Sequence, residues 1–470
     1  MNTVKLEKTI RTLMRKRKTP GMAIAVCKDN ETLYAKGFGA RNLKQHQAMD
    51  ADTLIGIGSI TKSFTAFAIM KLQEMGRLSI EDSAAQYLNA EPFASRPEIC
   101  IKHMLAHSTG IPSMDAGMLA FTYQFDDFSR IYPASNRADF LAHMADAEEF
   151  IFFKPGERFF YNNDMYTCLG FIVEAVTDIS FEQFVQEQIL EPLEMTRAVF
   201  TQQGLDSDGD NHNHNNNNTM TGYRFDTKDG RVVLKESAVP IDGYLQAPGG
   251  IYTSMNEMLN YAQCLLNKGT FKGRRVLSPE SVATLFKGQI ITPYGEGQNP
   301  EYSLGWTVEN PTEQVPHVVI QHGGGMETSQ SFLALVPDLN LGIAVAENAS
   351  TAIAPLVTRM VIAEQLGQDH QQAIEDLRIV EALKAIEGTY QSPYEMYSLK
   401  VSRKGVVLQA DLETDDGSFS FPLIPKDLDK LEFTTYSLRS DNKARVFFYR
   451  NSETQQVEFA SYDRFMYKRD

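Results

Sequence analysis

The order in which strand-like and helix-like segments follow one another constrains this chain most. Met22 to Lys28 and Thr32 to Gly39 flank the turn Lys28-Asp29-Asn30 and read as an antiparallel hairpin. The next strand-like segments come only at Ser303 to Glu309, His317 to His322, Ser331 to Val336 and Leu341 to Glu347. Between them the apolar spacing is mostly helical. One antiparallel sheet built from both ends, flanked by helices and with a helical region inserted in the middle, accommodates that order.

The helical segments are residues 3–17, a helix with Phe64, Ala68, Leu72 and Met75 on one face, most of 80–160, then Asp164 to Thr177, Phe181 to Leu190, 254–267, 279–287 and 351–366. A polar helical stretch, 368–385, reads as a linker. Beyond Glu387 short alternating segments separated by turn residues recur: Tyr397 to Val401, Val406 to Ala410, Phe419 to Leu423, Leu431 to Leu438, Arg445 to Tyr449 and Glu458 to Tyr462. They predict a separate all-β meander or small barrel. The expected organisation is an α+β domain over 1–367, the linker, and an all-β domain over 386–470.

A formal charge of −15 opposes phosphate backbones and excludes nucleic acid as an expected partner. Cys27, Cys100, Cys168 and Cys264 form no C-x-x-C pair, so neither a zinc site nor a disulfide framework is signalled, and buried free thiols in a reducing compartment are expected. The basic N-terminus is followed by no apolar run of signal-peptide length, and no run is long enough to span a bilayer. A cytoplasmic protein without membrane contact is the expectation. The Asp/His/Asn stretch 206–218 reads as a flexible insertion. Its His212, His214 and aspartates could ligate a metal. However, Asn211 stands where a calcium loop needs glycine and no closing glutamate follows, so no metal is assigned.

The chemistry starts at Ser59-Ile60-Thr61-Lys62, which follows Ile55-Gly56-Ile57-Gly58 and opens a helical segment running to Glu74. Residues three apart share a helix face, so the Lys62 amine can reach the Ser59 hydroxyl. A desolvated neutral lysine can take the serine proton. A helix N-cap is the competing reading of Ser59. The same spacing recurs at Ser440-Asp441-Asn442-Lys443, but in a polar stretch that reads as a turn.

Tyr161-Asn162-Asn163 follows the turn Lys154-Pro155-Gly156-Glu157 and precedes a helix start. A phenol beside the Ser/Lys pair can shuttle a proton, the more so where a nearby cation lowers its pKa. The Asn163 amide can hold a substrate carbonyl or the lysine amine. Tyr87-Leu88-Asn89 and Tyr449-Arg450-Asn451 share the spacing without the loop context. The third element, His322-Gly323-Gly324-Gly325, is expected directly after a strand. There glycines permit close approach to a ligand and free N–H groups can face an oxyanion.

In this order the three motifs resemble those of the serine β-lactamase-like, penicillin-recognising hydrolases (class C-type, S12 peptidase-like). Pro20-Gly21-Met22, Met104 to Pro112, Ala247 to Tyr252 and Leu304-Gly305-Trp306 look like blocks of the same family, and the resemblance covers residues 5–366. The C-terminal part resembles the lipocalin-like barrel of some archaeal and bacterial peptidase members.

The resemblance implies Ser59 as nucleophile and Lys62 and Tyr161 sharing the general-base role, without metal or cofactor. Tyr161 then protonates the leaving group and activates the deacylating water. The Ser59 and Gly325 N–H groups would hold the oxyanion, and Asn163, His322 and Gly324 would orient substrate or lysine. His322 replaces the lysine of lactamases and is expected to supply positive charge only partly, because histidine titrates near neutrality. A peptidase or amidase on small peptides, including D-residue peptides, is the leading reading. A carboxylesterase of small acyl esters, a β-lactamase or DD-peptidase-like activity, and a non-catalytic binding protein stay open. From its position the barrel could cover the active site, restrict substrate size or mediate assembly into a homo-oligomer.

Overall fold

The computed structural model describes residues 2–470 apart from 115–121, 127, 131–134, 209–217, 229–230, 242, 295–298, 405–406, 415–416 and 437–441. The chain divides into two compact units, Met1–Ile362 and Ala363–Asp470. In the first, helix α1 (Thr3–Arg17) precedes the hairpin β1 (Gly21–Lys28) and β2 (Glu31–Asn42), and β3 (Gln47–Ala48) follows. The sheet resumes with β4 (Ile290–Ile291), β5 (Glu301–Tyr302), β6 (Thr307–Glu309), β7 (Val319–Met326), β8 (Ser329–Val336) and β9 (Leu341–Glu347). The strand order is β4-β5-β6-β7-β8-β9-β1-β2-β3, with every pair antiparallel. The two ends of the unit meet at β9–β1, where Met22 faces Glu347 and Lys28 faces Leu341.

Three helices position the site: α2 (Thr61–Glu74), α3 (Asn163–Thr177) and α4 (Met255–Leu266). Gly342 of β9 leaves room for Ala262 of α4, and β9 is buried throughout. Helix α2 is enclosed on every side at its start, with Thr61 to Met70 buried without a break, because it runs through the core rather than over it. That placement, unlike a surface helix with one apolar stripe, takes Lys62 out of water.

Three expectations change. Residues 80–160 are largely irregular where described. Among the described residues their α-helices are Ile101–Leu105 and Arg137–Ala145, and polar side chains bond backbone locally: Asp82 accepts from Ser79 N and Asn136 from Asp139 N. Of the expected strand Ser303 to Glu309 only Thr307–Glu309 is strand; the residues before it form a turn between β5 and β6 whose Gly305 has φ +80°. A Cβ there would sit 3.0 Å from the Lys62 carbonyl oxygen, so the break lets the chain pack on α2 behind the lysine. The glycine triplet lies not after a strand but inside one: in β7, Gly323 faces Phe332, Gly324 faces Ser331 and Gly325 faces Gln330 of β8.

The second unit carries a helix, Glu375–Ile386, and a closed barrel of eight antiparallel strands in sequential order, from Gly388–Gln391 to Phe465–Arg469. The first and last of these strands were not anticipated; they close the barrel through Tyr390–Arg469 and Gln391–Lys468 pairs. Alternate side chains fill the interior, including Leu399, Val401, Phe421, Phe433 and Phe448, with Phe433 and Phe448 edge to face at 5.6 Å. In that unit Tyr449 bonds Ser461, and in the first Tyr87 bonds Asp82, so both alternative tyrosines have structural partners. Ser440 and Asp441 lie outside the described residues.

A Cβ on Gly324 would meet the Ile57 carbonyl oxygen at 1.8 Å, so Gly324→Ala must push β7 away from the segment that carries Ser59. The expected cost is ~1–3 kcal/mol, read from urea unfolding of the full chain. An unchanged midpoint would show that this approach is not enforced.

Candidate active site

Ser59 sits in a single 3-10 turn, Gly58–Ile60, that runs directly into α2. Gly58 has φ +52°, a conformation glycine adopts without strain. A Cβ there would strike Gly325 N at 2.8 Å. Two serines of β8 fix the approach from below: Ser329 Oγ donates to Gly56 O at 2.8 Å and Ser331 Oγ to Ile57 O at 2.6 Å. The Ser59 turn and the glycine strand are thus held backbone against backbone.

Lys62 is completely buried. Its Nζ lies 2.9 Å from Ser59 Oγ, 2.8 Å from Asn163 Oδ1 and 2.9 Å from Pro248 O. Burial pushes its pKa well below the ordinary lysine value, opposed in part by the Asp164 charge. The Pro248 carbonyl is held in place because Thr65 donates to the adjacent Ala247 O at 2.7 Å and Ile251 N donates to Thr61 Oγ1. Sequence reading singled out the Ala247 to Tyr252 block but assigned it no role. A backbone acceptor leaves no side-chain signal.

Asn163 is the first residue of α3, and its neighbour Asn162 is the N-cap, accepting from Met165 N. The Asn162 amide also donates to Ile111 O and Pro112 O, which ties the 107–112 loop to the Tyr161 segment. Tyr161 shares a hydrogen bond with Ser59 and lies with its ring 4.8 Å from Lys62 Nζ. Its hydroxyl pKa is raised by burial, the Ser59 bond offsetting part of that. No cation lowers it, because the buried lysine contributes no lowering charge.

His322 also departs from expectation. Its Nδ1 lies 2.6 Å from Gly323 O, which can only accept, so Nδ1 carries the proton and Nε2 accepts from the Tyr302 hydroxyl at 2.8 Å. Burial pushes its pKa down to about 3. It supplies no charge near neutrality. Gly324 is buried against Ile57 rather than turned to a ligand, whereas Gly325 is exposed and lines a recess with Ser59 and Asn163. Sequence reading missed His107. This buried histidine has φ +55° and accepts from Asn162 N at Nδ1, with its ring 4.3 Å from Tyr161 and 4.8 Å from Tyr302. Burial holds it neutral as well. No cluster of three or more metal-ligating side chains occurs among the described residues. Residues 209–217 of the Asp/His/Asn insertion are not described, and its Asp208 is engaged by Arg197 at 2.8 Å.

Residues 6–364 match the Beta-lactamase family and residues 370–468 the Pab87 octamerisation domain. Protein flp of Staphylococcus aureus (strain NCTC 8325 / PS 47) is 26% identical over 349 residues, 73% of this chain and 62% of the relative. The chain therefore spans less than two thirds of that relative's length. The octameric penicillin-binding protein homologue from Pyrococcus abyssi superposes with a TM-score of 0.87 at 29% identity, covering 99% of this chain and 100% of that one. A D-stereospecific amidohydrolase from Streptomyces sp. has a TM-score of 0.61 at 20% identity over 78% of this chain and all of its own, a likeness of fold.

With its pKa at about 3 instead of the ordinary 6.5, His322 stays neutral while the unfolded chain takes up a proton first. Its contribution to stability is complete above 6.5 and is lost as pH falls toward 3. Histidine-selective NMR of the full chain should show His322 and His107 not titrating between pH 5 and 8. A His322 midpoint near 6.5 would contradict the buried neutral ring.

Proposed function

This chain belongs to the β-lactamase family of serine hydrolases over residues 6–364, and we propose that it forms an acyl-enzyme on Ser59 and cleaves amide bonds of small peptides. The observation that carries this is the set of partners around buried Lys62. Asn163 Oδ1 and Pro248 O can only accept, so in the neutral amine both N–H bonds are used there and the lone pair faces Ser59. The base is then Lys62, and Tyr161, kept protonated by burial, is a proton relay.

In this scheme the Ser59 hydroxyl gives its proton to Nζ as Oγ attacks the carbonyl carbon. The oxyanion is held by the Ser59 and Gly325 N–H groups, a role supported by the contact between Gly58 and Gly325 backbones. The proton passes through Tyr161 to the leaving nitrogen, the C–N bond breaks, and water, deprotonated along the same route, releases the acyl group. No step requires a metal or cofactor. His322, being uncharged, offers no fixed positive charge to a substrate carboxylate, which favours internal amides over β-lactams and C-terminal carboxylate substrates. Small acyl esters, needing less leaving-group protonation, are the second reading. The described residues contain no helix long and apolar enough to cross a membrane, and all four cysteines are free, three of them buried.

The match to an octamerisation domain and the octameric Pyrococcus abyssi homologue support assembly of this chain into a homo-oligomer through residues 370–468. Mass photometry should find a multiple of the 52.8 kDa chain, and a chain ending at 367 should run as the monomer. An intact assembly without the barrel would refute this role.

Lys62→Met should lower kcat/KM for p-nitroanilide peptides by ~10²–10⁴, and Ser59→Ala should abolish the acyl-enzyme mass. Tyr161→Phe should slow anilides more than p-nitrophenyl esters, whose leaving group needs no proton. Full activity in Lys62→Met, or the absence of any Ser59 adduct with a fluorophosphonate, would overturn the hydrolase reading.

A further inference from the structure

Beside Ser59 lies a recess of about 60 Å³. One wall is Gly58, Ser59, Asn163 and Gly325; the others come from Phe200, Pro240, Ile241, Leu245, Gln246 and Met326. Among the described residues no ionisable side chain lines it. Its polar members, Ser59, Asn163 and Gln246, are all neutral; the Gln246 amide nitrogen donates to Phe200 O at 3.3 Å, while its buried Oε1 has no hydrogen-bond partner among the described residues.

The walls are fixed independently of any ligand. The Gln124 amide bonds both backbone groups of Ile241, donating to its oxygen at 2.5 Å and accepting from its nitrogen at 2.8 Å. The Tyr252 hydroxyl donates to Pro240 O at 2.7 Å. Leu245 packs with Phe125 in a small apolar cluster, and Met326 packs against both it and the cluster around α2. A recess held this way keeps its volume, and volume and polarity then decide what enters. An engineered apolar cavity of roughly 150 Å³ admits benzene; this one is well under half of that, so a methyl to isopropyl group fits and an aromatic ring does not. A charged group would lose hydration and find no opposite charge in the described lining.

We infer that this recess selects peptides whose residue at the attacked carbonyl has a small, uncharged aliphatic side chain, of alanine to valine size. The inference rests on the reading of Ser59 as nucleophile and specifies the substrate of that site. Phe200, Ile241, Leu245 and Met326 are its specificity-determining residues.

The test uses the full-length protein and aminoacyl p-nitroanilides and p-nitrophenyl esters with a constant leaving group, so that only the acyl residue changes: alanine, valine, phenylalanine, lysine and glutamate, in both configurations. In the wild type, kcat/KM for alanine or valine should exceed that for phenylalanine, lysine and glutamate by ~10-fold or more. Met326→Ala and Ile241→Ala, made separately so that a folding failure of one leaves the other, should each raise the phenylalanine-to-alanine ratio by ~10-fold. A wild type that prefers phenylalanine or a charged residue, or ratios unchanged in both variants, would overturn the inference while fluorophosphonate labelling of Ser59 leaves the hydrolase reading standing. Absence of that labelling would remove both.

Discussion

The site depends on a lysine kept out of water. Lys62 would be an ordinary ammonium on a surface helix, tightly solvated and unable to accept a proton. Because α2 runs through the core, the amine meets Ser59, an asparagine oxygen and a backbone carbonyl instead of water. The cost of burying a charge there favours the neutral form. The two carbonyl acceptors then direct its lone pair. The same burial acts on the neighbours, leaving Tyr161 a phenol and His107 and His322 neutral imidazoles. The centre is a set of uncharged groups.

Close backbone contact makes that geometry rigid. Gly58, Gly305 and Gly324 each stand where a side chain would collide with main-chain atoms, of Gly325, Lys62 and Ile57 respectively. The serine turn, the start of α2 and strand β7 are thereby locked together, and Ser329 and Ser331 stitch the contact from β8. A sheet assembled from both ends of the chain brings β7 to this position, far in sequence from the serine it faces.

Local spacing made the Ser59–Lys62 pair legible, since a three-residue separation at a helix start already sets Ser59 beside Lys62. Tyr161 and Asn163 were legible from loop context and order along the chain. The environment was not. Nothing in His322-Gly323-Gly324-Gly325 says that the histidine is buried between Tyr302 and its own neighbour's carbonyl, so a partial charge was expected where burial favours none. Nor does a glycine triplet announce itself as strand, because its pairing is set by Phe332, Ser331 and Gln330 opposite. Pro248 contributes a carbonyl that every residue has, and His107 acts through a fold contact with Asn162. In the barrel, six strands carried alternation. The two that close it, Gly388–Gln391 and Phe465–Arg469, are short and paired only across the full length of the domain.

The neutral state of Lys62 is the claim on which the rest stands, and the rate of Ser59 acylation by a fluorophosphonate, followed by intact mass as a function of pH, tests it most directly. A neutral buried amine predicts a rate that rises and reaches its plateau with a midpoint well below the ordinary lysine value of 10.5. A rate still climbing toward pH 10 would mean that Lys62 is an ordinary ammonium at neutrality and would contradict the account.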